Sequence, residues 1–93
     1  MARYVVEMFG LPHEITDLRQ VEIKLEKGAS LRDVVAALRR EIPALEGRVI
    51  HPEENRLMER YAFNVNGRFY FDDINLKLHR GDRVALLTLA TGG

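Results

Sequence analysis

The sequence predicts an α+β domain, a mixed sheet of about five strands with one main helix packed on one face. Apolar and charged residues alternate with a period of two over residues 20–26, and both ends of the chain carry strand-like runs that are apolar on both faces. One stretch alone carries apolar residues at helical spacing, and Asn66-Gly67 marks a tight hairpin. The order is therefore strand, strand, helix, strand, strand, strand. A helix with a single apolar stripe fits such a sheet, because it has only one surface to cover.

Residues 3–9 read as the first strand. Tyr4, Val6 and Met8 form one face and Val5, Glu7 and Phe9 the other, both largely apolar, which suits a central position. Gly10-Leu11-Pro12 ends it. Residues 20–26 alternate cleanly, Val21, Ile23 and Leu25 against Glu22, Lys24 and Glu26, which is a half-buried strand with one wet face. The two are expected to pair antiparallel. Ser30 reads as a helix N-cap with Asp33 three residues on, a capping-box variant. Leu31, Val34, Val35, Leu38 and Ile42 follow on one face, and Pro43 stops the helix near Glu41.

Residues 43–60 are the least regular, with Ala44, Leu45 and Val49 expected to dock on the core. Residues 61–65 form the third strand. Asn66-Gly67 is the preferred dipeptide of a type I′ turn and leads into a fourth strand over residues 68–71. Asp72-Asp73 ends that strand, and residues 74–78 are expected to form a short turn of helix. After the Arg80-Gly81-Asp82 turn, residues 83–89 are apolar on both faces, Val84 and Leu86 against Ala85, Leu87 and Leu89. Such a strand belongs in the middle of the sheet, beside the first.

Composition narrows the function. Ninety-three residues make one domain, residues 1–93. Fourteen basic and fourteen acidic residues cancel, which argues against a general nucleic-acid or membrane-surface binder. Without cysteine there is no disulfide, thiolate metal site or cysteine nucleophile. The first residues lack the regions of a signal peptide, and no apolar run approaches a membrane span, so the expected setting is cytoplasmic. His13, His51 and His79 show no ligand spacing, and no metal site is expected. Glu53-Glu54 and Asp72-Asp73 read as solvated carboxylates rather than an acid–base pair. Arg39, Arg40, Arg56 and Arg60 read as part of a solvated, charge-balanced face.

The last two residues, Gly92 and Gly93, carry the functional signal. Two residues without side chains thread a narrow channel and leave the terminal carboxylate unhindered. Chance places glycine at two given positions in roughly 0.5% of chains. Residues 89–93 are expected to form a flexible diglycine tail, with Leu89 anchoring its base and Ala90 and Thr91 forming the arm. One helix covers only one face of the sheet, so Phe9, Phe63, Leu87 and Leu89 are candidates for an open apolar face. Such a patch on a small domain marks a partner interface.

The strand order, the Asn66-Gly67 hairpin, Gly81-Asp82 before the last strand and the terminal Gly92-Gly93 together resemble the ubiquitin-like β-grasp sulfur carriers. The resemblance covers nearly the whole chain and is strongest to the small subunits of molybdopterin synthases. It implies a carrier rather than an enzyme. An ATP-dependent, ubiquitin-activating-type enzyme would adenylate Gly93, and sulfur transfer would convert the acyl-adenylate to a thiocarboxylate. A large catalytic subunit would then pass the sulfur to a pterin precursor. ATP would belong to the partner, and the chain itself would hold no stable cofactor. Related archaeal ubiquitin-like modifiers imply a second use, conjugation of Gly93 to lysines of target proteins. Carriers for cysteine, thiamine or tRNA thiolation, and a plain β-grasp interaction module, are the other readings.

Overall fold

The computed structural model describes residues 1–71 and 73–89. The elements are β1 (Ala2–Phe9), β2 (Gln20–Leu25), α1 (Leu31–Glu41), a 3-10 turn (Pro43–Leu45), β3 (Tyr61–Val65), β4 (Arg68–Tyr70) and β5 (Val84–Thr88). The sheet runs β2-β1-β5-β3-β4. β1 and β5 pair in parallel at its centre, and the flanking pairs are antiparallel. This is the β-grasp arrangement expected from the sequence, including the central place of the last strand.

The core lies between α1 and one sheet face. Tyr4, Val6 and Met8 of β1, Ile23 and Leu25 of β2, and Val84 and Leu86 of β5 meet Leu31, Val34, Val35 and Leu38 of the helix. Alternation in the strands and 3.6-residue spacing in the helix bring these side chains to one layer. Leu45, Val49 and Ile50 close the core from the irregular segment, each fully buried. Ala44, expected to dock with them, is exposed. A single 3-10 turn has about three residues per turn, so only one of its three side chains points inward, and that one is Leu45.

The helix starts as expected, at Ser30, but the segment that packs against its start does not have the expected form. Asp33 Oδ2 accepts the Ser30 backbone N–H at 2.9 Å, as the capping pattern predicts. Residues 74–78, however, form a turn and an isolated bridge, Lys77 with Ser30, rather than helix. The first N–H groups of a helix lack internal acceptors. Here Leu31 N–H donates to Leu76 O at 3.0 Å and Arg32 N–H to Ile74 O at 2.8 Å. A helical turn over residues 74–78 would have drawn those carbonyls toward its own donors. β4 is also one residue shorter than expected, ending at Tyr70.

Asn66 and Gly67 both have positive φ, 53° and 92°, as a type I′ hairpin requires. Among the described residues, no helix is long and apolar enough to cross a membrane.

Candidate functional site

The sheet face turned away from α1 carries the apolar patch. Register places Phe9 beside Leu87 and Leu87 beside Ala62, one row across β1, β5 and β3. The next row runs Glu7, Ala85, Asn64 and Phe69. Phe9 and Phe69 are 53% and 52% exposed, and Val5 joins them on the same face of β1. Leu87 is half-buried between its neighbours, and Ala62 is fully buried although it stands outside the core cluster. Large side chains thus rim a shallow centre of small ones. Beside Phe9, a groove of about 440 Å³ is lined by Gly10, Leu11 and the exposed Leu18 among others.

Phe63 does not belong to this face. It is 3% exposed and sits in the core, because its register partners Leu86 and Tyr70 lie on the helix side. The pleat puts Tyr61, Phe63 and Val65 inward and Ala62 and Asn64 outward. The alternation of large and small residues in Tyr-Ala-Phe-Asn-Val already carried that phase. Val5, Leu18 and Phe69 take the exposed role that sequence reasoning gave to Phe63.

The patch continues along β5 as far as Leu89. β5 runs parallel to β1, so the chain leaves the sheet where β1 ends. Leu89 is half-buried, and its N–H donates to Arg60 O at 2.6 Å. The Thr88 hydroxyl reaches the same carbonyl at 3.4 Å. Arg60 holds a left-handed backbone, φ 78°, which few side-chain-bearing residues adopt. The anchoring role expected for Leu89 thus falls on its backbone, with Arg60 as an acceptor that no local sequence signal marks. Ala90, Thr91, Gly92 and Gly93 lie outside the described residues, as does Asp72.

Polar ties stiffen the surroundings. Arg39 is not part of a solvated patch. Its Nη1 donates to Asn55 Oδ1 at 2.6 Å, and its Nη2 to His51 O and Glu54 O, each at 2.7 Å. This fork docks the loop after Ile50 onto the helix. His51 Nδ1 accepts the N–H groups of Glu53 and Glu54. The Arg56 guanidinium, hydrogen-bonded at 2.7 Å, holds the Glu54 carboxyl below its usual range. The His79 N–H at 2.7 Å does the same for Asp82, helped by Asn66 Nδ2 at 2.9 Å. Among the described residues, no group of three or more acidic, histidine or cysteine side chains is placed to hold a metal.

The ThiS family pattern matches residues 6–93. The chain belongs to the ThiS family. No curated protein matches it in sequence. Solved structures do match the whole fold. SAMP1 from Haloferax volcanii is 25% identical, with 99% of this chain and 100% of that one covered at a TM-score of 0.82. SAMP1, the small archaeal modifier protein 1, from Methanosarcina acetivorans is 21% identical over 100% and 98% of the two chains, at 0.75. A putative molybdopterin converting factor subunit 1 from Pyrococcus furiosus is 19% identical over 97% and 100%, at 0.70. The last two likenesses concern the fold. This ThiS-family chain is thus a small ubiquitin-like protein of the sulfur-carrier or archaeal-modifier kind, a group that works with partner enzymes.

Proposed function

We propose that this ThiS-family chain is a sulfur carrier that acts as the small subunit of a molybdopterin synthase. The observation that carries the reading is the continuity of the open apolar face with Leu89, through Leu87 and Thr88, where the Arg60 carbonyl holds the chain. A partner that docks on Phe9, Leu87 and Phe69 has the arm within reach. The family match, which runs to residue 93, supports the same reading.

In this mechanism a Gly93 carboxylate oxygen attacks the α-phosphorus of ATP on a ubiquitin-activating-type enzyme, and pyrophosphate leaves. Sulfide supplied by the partner enzymes then attacks the acyl carbon, the bond to the AMP oxygen breaks, and AMP leaves the thiocarboxylate behind. Gly92 gives unhindered access, and Ala90 and Thr91 span the channel. The sulfur passes to a pterin precursor in a large catalytic subunit. The partners supply the ATP site and the catalytic groups, and the setting is cytoplasmic. ATP–pyrophosphate exchange with the cognate activating enzyme tests the reading. Loss of exchange on deletion of Gly93, with the fold intact, is expected; undiminished exchange rejects it.

One observation favours a second reading. The likeness to a small archaeal modifier spans the chain at 25% identity. A modifier would join Gly93 to target lysines, and diglycine-type remnants on other proteins would reveal it by mass spectrometry. A thiocarboxylate, about 16 Da heavier than the carboxylate, would mark the carrier.

A further inference from the structure

The hairpin tip brings together an asparagine side chain and a glycine nitrogen, and that pair has its own chemistry. The Gly67 nitrogen can attack the side-chain carbonyl carbon of Asn66, since glycine offers no Cβ to hinder the approach. A C–N bond forms, a five-membered succinimide closes, and the side-chain nitrogen leaves as ammonia. Water then opens the ring at one of its two carbonyls, giving aspartate or isoaspartate. Both residues are exposed, so water has access.

The structure holds each reacting group elsewhere. The Gly67 N–H, whose proton must leave, donates to Asn64 Oδ1 at 2.9 Å. Asn66 Nδ2 donates to Asp82 Oδ1 at 2.9 Å, and Asn66 Oδ1 accepts the Arg83 N–H at 2.8 Å. The Asn66 N–H donates to Arg83 O at 2.9 Å. With both polar side-chain atoms tied to the turn before β5, the carbonyl carbon reaches Gly67 only after two hydrogen bonds break.

We propose that Asn66 is a deamidation site that the fold keeps shut, with Asn64 guarding the nucleophile and Asp82 and Arg83 guarding the carbonyl. Modification proceeds through local opening of the hairpin tip. Its products keep the tip open. Aspartate at this position lacks the Nδ2 donor and faces the Asp82 carboxylate, and isoaspartate inserts an extra atom into the turn. Either product unties the hairpin from the start of β5, at a groove of about 720 Å³ that Asn64, Asn66 and Arg83 line beside the open face.

The test follows the full chain in mildly alkaline buffer beside a free peptide of residues 61–68, the fragment that trypsin releases between Arg60 and Arg68. Peptide mapping reads the gain of about 1 Da and the isoaspartate at Asn66. Asn64, followed by β-branched Val65, is an internal control. Asn66 is expected to react at least about tenfold more slowly in the folded chain than in the peptide. Asn64→Ala is expected to speed the reaction several-fold, and Asn64→Asp, which keeps the acceptor oxygen, to leave it near the unaltered rate. Equal rates in chain and peptide overturn the proposal. So does an Asn64→Ala rate no faster than the unaltered chain, or an Asn64→Asp rate as fast as Asn64→Ala. The first comparison uses the unaltered chain, so a poorly folding variant does not remove the test.

Discussion

Gly10 packs against Thr88 so closely that a Cβ on Gly10 would stand 2.6 Å from Thr88 Cγ2. Gly10 also has φ of 74°. The end of β1 therefore passes the base of the arm only because a side chain is missing. Gly10→Ala is expected to destabilise the protein by roughly 2–4 kcal/mol, about 1–2 from the left-handed backbone and the rest from overlap. Thr88→Ser removes Cγ2 but keeps the hydroxyl. In denaturant titrations the double variant should recover about 1–2 kcal/mol, the overlap part alone.

Arg60 makes the opposite case. Its left-handed backbone is strained, yet its carbonyl holds Leu89 N–H and the Thr88 hydroxyl. Arg60→Gly relieves strain of about 1–2 kcal/mol and loses about 0.5–1 to chain entropy. A net gain of about 0.5 kcal/mol in unfolding free energy is expected from denaturant titration, with amide exchange at Leu89 still protected.

The two faces of the sheet should respond differently to truncation. Phe63→Ala opens a core cavity and is expected to cost about 3–5 kcal/mol of stability. Phe9→Ser and Phe69→Ser alter exposed residues and should shift stability by no more than about 0.5 kcal/mol. If partners dock on this face, each exposed change raises KM for the activating enzyme about tenfold or more. Pyrophosphate exchange measured against carrier concentration separates this from a loss of kcat.

Asp82 links stability to pH. Hydrogen bonds from His79 N–H and Asn66 Nδ2 favour its ionised form in the folded state and lower its pKa. A depressed folded pKa gives stability that is present above the unfolded value, about 3.9, and is lost as pH falls through the folded value. Asp82→Asn should flatten the acid limb of the stability–pH curve below about pH 5, by no more than about 1 kcal/mol at this solvent-screened site.

Arg39→Met keeps an aliphatic stem but removes all three donor contacts to the loop. Hydrogen exchange over residues 51–56 should rise while the β1 and β5 amides stay protected, with a stability loss of about 1–3 kcal/mol.

What the sequence made legible was local. The helix, β3 and the Asn66-Gly67 turn follow from spacing within a few residues, and the double apolar faces of β1 and β5 placed both at the centre of the sheet. What it hid depends on partners far along the chain. Residues 74–78 have Ile74 and Leu78 at helical spacing, but the donors of α1 claim their carbonyls. Arg39 reads as one more surface arginine until the loop folds back onto it. That one helix covers one face leaves the phase of each strand open, and in β3 the alternation around Ala62 turns Phe63 inward. The contribution of Arg60 is a backbone conformation, which its side chain does not advertise.

β5 lies between β1 and β3, hydrogen-bonded on both sides. In the proposed carrier role, an enzyme that draws the carboxyl end into a channel would pull along this strand, in line with its length. The load then falls on both ladders at once, in shear, instead of unzipping one bond after another as it would at a sheet edge. Under the proposed carrier role, a pull on the end of β5 would be borne by β1 and β3 together.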